Sequence, residues 1–243
     1  MRMWTFANRN TKEILRDPLN LAFGLGFPLV LLLLLNAMQA NIPVPLFEIS
    51  RLAPGIAVFG LCFITLFSAT VIAKDRESSL LQRLYTTPMT PLDFILGYTL
   101  PLLPMAVLQS VICYAAALLL GLEFSAYILY AVLFVIPVST LYVALGLLFG
   151  SFLNVKQVGG ICGALLTNLS AWLSGTWFDL ELVGGGFHKM ADLLPFVHAV
   201  ELERAILAGD VRGVFPHLWW VLGYALAAFA AAVWLFLRQM KKQ

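Results

Sequence analysis

Six stretches of this chain run without an Asp, Glu, Lys or Arg for about the thickness of a bilayer: residues 19–39, 52–73, 98–120, 126–150, 158–175 and 215–237. A spanning helix needs roughly 20 mostly apolar residues. A water-soluble domain carries about a quarter of its residues as charges, whereas this chain has 12% charged and 61% hydrophobic residues. The expected fold is therefore an all-α integral membrane protein with six transmembrane helices. No contiguous polar stretch is large enough for a separate soluble domain, so residues 1–243 are expected to form a single transmembrane domain. The first window is charge-free from Leu19 through Leu35 and lacks an A-x-A site, so it reads as a retained span rather than a cleaved leader.

An even number of spans puts both termini on one side. The connecting segments 1–18, 74–97, 151–157 and 238–243 hold 11 Lys/Arg against 5 acids, while the opposite set holds 4 against 8. Excess Lys/Arg marks the cytoplasmic face, which places both termini and the segment 74–97 in the cytoplasm of a multi-pass plasma (inner) membrane protein.

Before the first span, Arg2, Arg9 and Arg16 recur every seven residues with Lys12 among them, and Trp4, Ala7, Thr11 and Ile14 follow a three-four spacing. That pattern predicts an amphipathic interfacial helix over 1–18, its cations meeting anionic membrane lipid. After the fifth span, residues 175–214 form an extracellular segment too long for a turn. Leu193, Leu194, Val197, Val200 and Ile206 give it an apolar face, so short re-entrant or interfacial helices are expected there.

Polar groups inside the spans are few: Thr65, Ser68, Thr70, Gln109, Ser139, Thr140 and Asn168. No span has a charge near its middle, which argues against an ion-coupled carrier or a charged pore. These groups either line a route for a lipophilic or amphiphilic cargo or bond their own helices. Gly159, Gly163 and Thr167 recur every four residues, with Gly146 and Gly150 repeating the motif one span earlier. Such small stripes let helices approach closely, within one subunit or between two. Pro101, Pro104 and Pro137 interrupt spans three and four, where kinks are expected.

Cys62, Cys113 and Cys162 fall inside spans and are expected as buried free thiols. The spacing of His188, His198 and His217 matches no zinc pattern. The chain contains no GxxxxGK[ST], GxSxG or HExxH motif, so no ATP hydrolysis and no other catalysis is expected of it. His198, Glu201 and Glu203 read as a solvated helix face.

The segment 74–97, KDRESSLLQRLYTTPMTPLDFILG, carries five charges in its first ten positions. Glu77, Leu80, Leu81 and Leu84 share one helical face, with Arg76 and Arg83 on another. Thr90 can cap a helix that starts at Pro91, with Asp93 in the capping-box position. A capped helix at the membrane face suits a docking handle for a partner protein or a lipid-facing elbow.

The run RESSLLQRLYTTPMTPLDFILG closely resembles the segment between spans two and three of ABC-2-type permeases, the membrane subunits of a class of ATP-binding-cassette exporters. LSGTWF, LLPF and ERAILAGD, within 170–210, resemble that family's passage from span five into the outer loop. Ser79 stands where the family often has Gly, and Tyr98 where a Lys often follows Gly97. The resemblance implies a coupling helix around Thr87–Gly97, including Pro88, Thr90, Pro91 and Asp93, seated on a separate ABC ATPase subunit. Arg83 would belong to the same coupling surface, and Glu77 would relay motion to spans one and two. It further implies a cargo route between two permease halves, with Thr65, Ser68, Asn168 and Ser170 as candidate path residues. Packing between those halves, a second copy or a sister permease, would use Gly159, Gly163 and Thr167. This chain would hold no cofactor, ATP and Mg being bound by the ATPase, and no nucleic acid would be involved. A non-transporting membrane anchor or sensor that recruits a cytoplasmic protein is the alternative reading.

Overall fold

The computed structural model describes residues 2–43, 47–85 and 89–240, and among these it contains helices and no strand. The chain opens with α1 (Arg2–Leu15). A first long helix follows, built from α2 (Pro18–Leu21), a π-helical turn at Ala22–Gly26 and α3 (Phe27–Gln39). Asp17 starts it by accepting from the backbone N–H of Asn20, with Pro18 in the first turn where its missing N–H costs nothing. Then come α4 (Ile49–Glu77), α5 (Leu80–Tyr85), α6 (Pro91–Thr99), α7 (Leu102–Leu119) and α8 (Tyr127–Phe152). The next helical run, 155–173, consists of α9 (Val155–Val158), a π-helical stretch at Gly159–Leu166 and α10 (Thr167–Leu173). The chain ends with α11 (Leu180–Val183), α12 (Gly185–Leu193), α13 (Pro195–Leu207) and α14 (Val211–Met240).

Among the described residues, five helical segments are long and apolar enough to cross a membrane: Pro18–Gln39, Ile49–Glu77, Leu92–Leu119, Ala126–Phe152 and Val211–Arg238. The protein is an all-α integral membrane protein. The fifth apolar window is the exception. It lies in a helical run over 155–173 that is short, begins with Lys156 and Gln157, carries Asn168, and is widened by the π stretch. Within it the Thr167 hydroxyl reaches back to the carbonyl of Cys162, the five-residue interval of a π turn.

The bundle is organised around α4, whose residues Leu52 through Thr65 are all buried. A helix apolar on every side belongs at the centre of a bundle, and α3, α7, α8 and α13 surround this one. Its most extensive contact is with α8. A Cβ added at Gly146 would stand 2.4 Å from that of Ser68, and one at Gly150 would stand 2.9 Å from the carbonyl oxygen of Ala69. Pro101 marks the join of α6 and α7, whereas Pro137 lies inside α8 without ending it. The nearby hydroxyls of Ser139 and Thr140 donate to the carbonyls of Ile136 and Pro137. Cys62, Cys113 and Cys162 are free and buried.

The long segment before the last span folds into three helices, α11 to α13. Phe196, Val197, Val200, Leu202 and Ile206 of α13 are buried among α4, α8 and α14. The apolar face expected to dip into lipid is thus covered largely by protein, although Leu193 on α12 stays exposed.

Candidate functional site

The capping signal of segment 74–97 folds as its residues dictate. Thr90 is extended (φ −84°, ψ 158°), and its hydroxyl oxygen accepts from the backbone N–H of Asp93 at 3.3 Å. The Asp93 carboxylate in turn accepts from the backbone N–H of Thr90 at 2.8 Å. Two N–H groups that would otherwise lack partners are satisfied reciprocally, and the carboxylate sits at the positive end of the helix dipole. With Pro91 at the first position, α6 has a sharply defined start.

Three consecutive residues in the last turn of α4 connect it to the elements around it. Successive side chains on a helix point about 100° apart, so Asp75, Arg76 and Glu77 reach in three directions. Asp75 is 1% exposed. Both its oxygens accept from the Arg9 guanidinium of α1, at 2.5 and 2.6 Å, and one also accepts from the Tyr98 hydroxyl of α6 at 2.9 Å. Arg76 donates to the carbonyls of Ser151 and Leu153, at and just past the end of α8, where helix carbonyls lack partners and a cation is favoured. Glu77 accepts from the backbone N–H of Val155 at 2.9 Å, joining α4 to the first turn of α9. Its described contact is therefore with the first turn of the helical run 155–173, not with the first span.

The same end of the bundle receives α1. Asn10, 1% exposed, donates to the carbonyl of Gly97 at 3.0 Å. Phe6 packs edge-on against Tyr98 and Phe94, with ring centroids 4.9 and 5.9 Å apart. Gly97 makes this possible, because a Cβ there would lie 2.3 Å from the Phe6 ring. Burial disfavours the charge on Arg9, but hydrogen bonding and attraction to Asp75 outweigh it and raise its pKa above the ordinary value. α1 is amphipathic, as its spacing predicts, and part of its apolar face meets protein. Of the residues assigned to its apolar face, Ala7 and Ile14 are buried, together with Phe6 and Asn10, while Trp4 remains exposed. The helix docks on protein because Phe6 and Asn10 add to that face, and the heptad of arginines draws attention away from them.

Ser79, between α4 and α5, has φ 58° and is the only non-glycine with positive φ among the described residues. Arg83 lies exposed on α5. Thr87 and Pro88 fall outside the described residues.

The family model for the ABC-2 type transporter matches residues 1–208, from α1 through α13. The chain belongs to the ABC-2 type transporter family. No curated protein matches it. An ABC-2 permease works with an ABC ATPase subunit, and the two departures from the family pattern can now be placed. Ser79 occupies a left-handed conformation suited to glycine, and Tyr98 supplies a hydroxyl to Asp75.

The remaining candidates of this ABC-2 permease separate by burial. Thr65, Ser68 and Ser170 are interior: Thr65 donates to the carbonyl of Tyr142 at 2.7 Å, and Ser170 lies 3.4 Å from the Tyr142 hydroxyl. In this structure they pack α4, α8 and α10 together, and only Asn168 of the four path candidates is exposed. The small stripes also divide. Gly146 and Gly150 pack within the subunit, whereas Gly159 has no atom within 4 Å of a would-be Cβ and Gly163 meets only Leu66 at 3.6 Å. Thr167 beside them is half-buried.

At the other end of the bundle, the expected solvated face of His198, Glu201 and Glu203 is overturned. Glu203 is fully buried and accepts from the Tyr114 hydroxyl of α7 at 3.1 Å, its second oxygen having no described partner. Burial pushes its carboxyl up to about 8, against the pull of the Tyr114 hydrogen bond. His198 is 9% exposed, stands 2.9 Å from His217 between ring Nδ1 atoms, and stacks on Trp220. Only Glu201 behaves as a surface group, paired with Arg204 at 2.7 Å. The reading failed because α13, unlike an ordinary loop helix, is enclosed by α4, α8 and α14.

Proposed function

We propose that this chain is the permease subunit of an exporter that moves a lipophilic or amphiphilic cargo out of the cell, driven by ATP hydrolysed on a separate subunit. ATP and Mg are held by that ATPase, and this chain supplies no catalytic group. The chain acts as one transmembrane unit of six spans, with 155–173 as the fifth, in the plasma (inner) membrane. The loop charge asymmetry supports cytoplasmic termini. Two permease halves assemble through the outward-facing Gly159, Gly163 and Thr167, and cargo passes between them along the face that carries Asn168.

The observation that carries this reading is the three-way grip of the α4 terminus. A capped helix that merely recruited a protein would need no rigid tie to the spans. Here α6 is bonded through Gly97 to α1 and through Tyr98 to Asp75. Arg76 and Glu77 extend the connection to α8 and α9. A displacement of α6 by a closing ATPase thus reaches α1, α4, α8 and α9, the last of which opens the run that carries Asn168. Thr90→Ala with Asp93→Ala should uncouple the purified permease–ATPase complex, lowering cargo-stimulated ATP hydrolysis while the chain stays inserted. Unchanged stimulation and unchanged transport would sink the coupling role.

A further inference from the structure

The end of the bundle that holds the site also contains an open cleft of about 760 Å³, between α1, the start of the first span and the end of α4. Its walls carry Arg9, Lys12, Arg16 and Lys74 against two carboxylates, Glu13 and Asp17. Arg9 is bonded to Asp75 and to Glu13, and Asp17 is engaged by the backbone and side-chain amides of Asn20. Among the described residues, Lys12, Arg16 and Lys74 have no carboxylate within ion-pair distance. Three cations, Lys12 on α1, Arg16 in the turn after it and Lys74 at the end of α4, therefore converge on one cleft whose own acids are already occupied.

The position of the cleft decides what can fill it. Pro18 begins one membrane-crossing helix and Lys74 lies in the last turn of another, which sets the cleft at headgroup depth whichever leaflet it faces. On α1, Trp4 and Leu15 are 66% and 60% exposed, and Leu19 just beyond is 69% exposed. By helical spacing Trp4 and Leu15 form an edge beside the Lys12 and Arg16 face. An apolar edge bordering a cationic cleft matches the two parts of an anionic lipid. Asn8, also on the wall, adds a neutral amide whose chemistry suits phosphate oxygens.

We infer that this cleft binds the phosphate group of an anionic lipid headgroup, held by Lys12, Arg16 and Lys74, with its acyl chains against Trp4, Leu15 and Leu19. The inference specifies the lipid contact of α1 and does not depend on the transport reading. Each cation near an anionic membrane surface strengthens attraction by roughly fivefold, so three together account for on the order of a hundredfold.

The test uses the full chain, purified with its ATPase partner and reconstituted in vesicles of phosphatidylcholine with phosphatidylglycerol. Lipid retained after extraction is counted by native mass spectrometry. Wild type should retain phosphatidylglycerol over phosphatidylcholine, and K12Q/R16Q/K74Q should lose that preference by about a hundredfold. A control, K156Q/K189Q/R212Q, removes the same charge from exposed positions elsewhere and should retain it. Equal retention by the cleft variant and wild type would overturn the inference, as would equal loss in the control. A second arm titrates inorganic phosphate into wild type in neutral detergent. Competition with retained lipid at this cleft would support the phosphate as the recognised group, while saturable phosphate binding with no lipid preference would overturn the lipid assignment in favour of a soluble anion. Binding of the partner ATPase lost in the cleft variant with lipid retention intact would overturn it in favour of a protein contact.

Discussion

Asp75 and Arg9 form a pair whose two members should respond unequally to substitution. The Asp75 side chain is 2% exposed and that of Arg9 38%. Arg9→Gln leaves a carboxylate buried with only the Tyr98 hydroxyl and a neutral amide to face it. An uncompensated buried charge of this kind costs about 3 kcal/mol. Asp75→Asn leaves the opposite remnant, a guanidinium more than a third exposed that still has Glu13 at 2.7 Å and water. Its loss should cost about 1 kcal/mol, the scale of a partly exposed hydrogen-bonded pair. The double variant strands no ion, so with a coupling of about 2 kcal/mol it should cost about 2 kcal/mol, about 1 kcal/mol less than Arg9→Gln alone. Equilibrium unfolding of the purified chain in mixed micelles, titrated with a denaturing detergent, reads all three. If Asp75→Asn cost as much as Arg9→Gln, or if the double variant showed the plain sum of the two, the burial asymmetry would not be governing this site.

Three other outcomes are expected. Ser79→Gly should stabilise the chain by about 0.5–1 kcal/mol in the same unfolding assay, because it relieves a left-handed serine at φ 58° at the cost of added unfolded-state freedom; a loss of stability would contradict the assignment. Gly97→Val should push Phe6 away and loosen α1, seen as faster amide hydrogen exchange over Arg2–Leu15 with α14 unaffected, and unaltered exchange in α1 would refute the close approach. Glu203 has a folded-state pKa raised from 4.5 to about 8, so its stabilising contribution is complete below pH 4.5 and is lost as pH rises through about 8. Glu203→Gln should therefore flatten the fall in stability across that window, and an unchanged pH profile would count against a buried neutral acid.

What could be read in advance followed the range of the interactions involved. The Thr90–Asp93 cap is three residues wide, and five spans announce themselves by hydropathy alone, so both were legible. Asp75 was not, since its partner Arg9 lies 66 positions away and its charge looks like any other in a charged segment. Glu203 was misjudged for a related reason. A carboxylate on an amphipathic stretch defaults to solvent, and only the enclosure of α13 by distant helices reverses that default. The π stretches at Ala22–Gly26 and Gly159–Leu166 carry no dependable signal either, because Gly and Leu in an apolar run fit an α-helix equally well. The glycine stripes show how far a motif reaches: spacing identified both, and only neighbouring atoms distinguished the packed pair, Gly146 and Gly150, from the outward-facing Gly159 and Gly163.

The acids in the last turn of α4 run against what anchoring a span alone would favour. Carboxylates at a helix C-terminus oppose the helix dipole, and a segment that served only to hold a span in place would favour Lys and Arg there. Lys74 and Arg76 follow that preference; Asp75 and Glu77 do not. Each acid instead accepts from a group outside its own helix, Asp75 from α1 and α6, and Glu77 from the first turn of α9. The dipole penalty, typically 0.3–1 kcal/mol per charge, is offset only while those neighbours stay in place, so the α4 terminus is stable in proportion to its contacts. A movement that separated α6 or α9 from α4 would expose the penalty again. The four elements are thereby favoured to move together, which is the mechanical property that a helix pushed from outside the membrane requires.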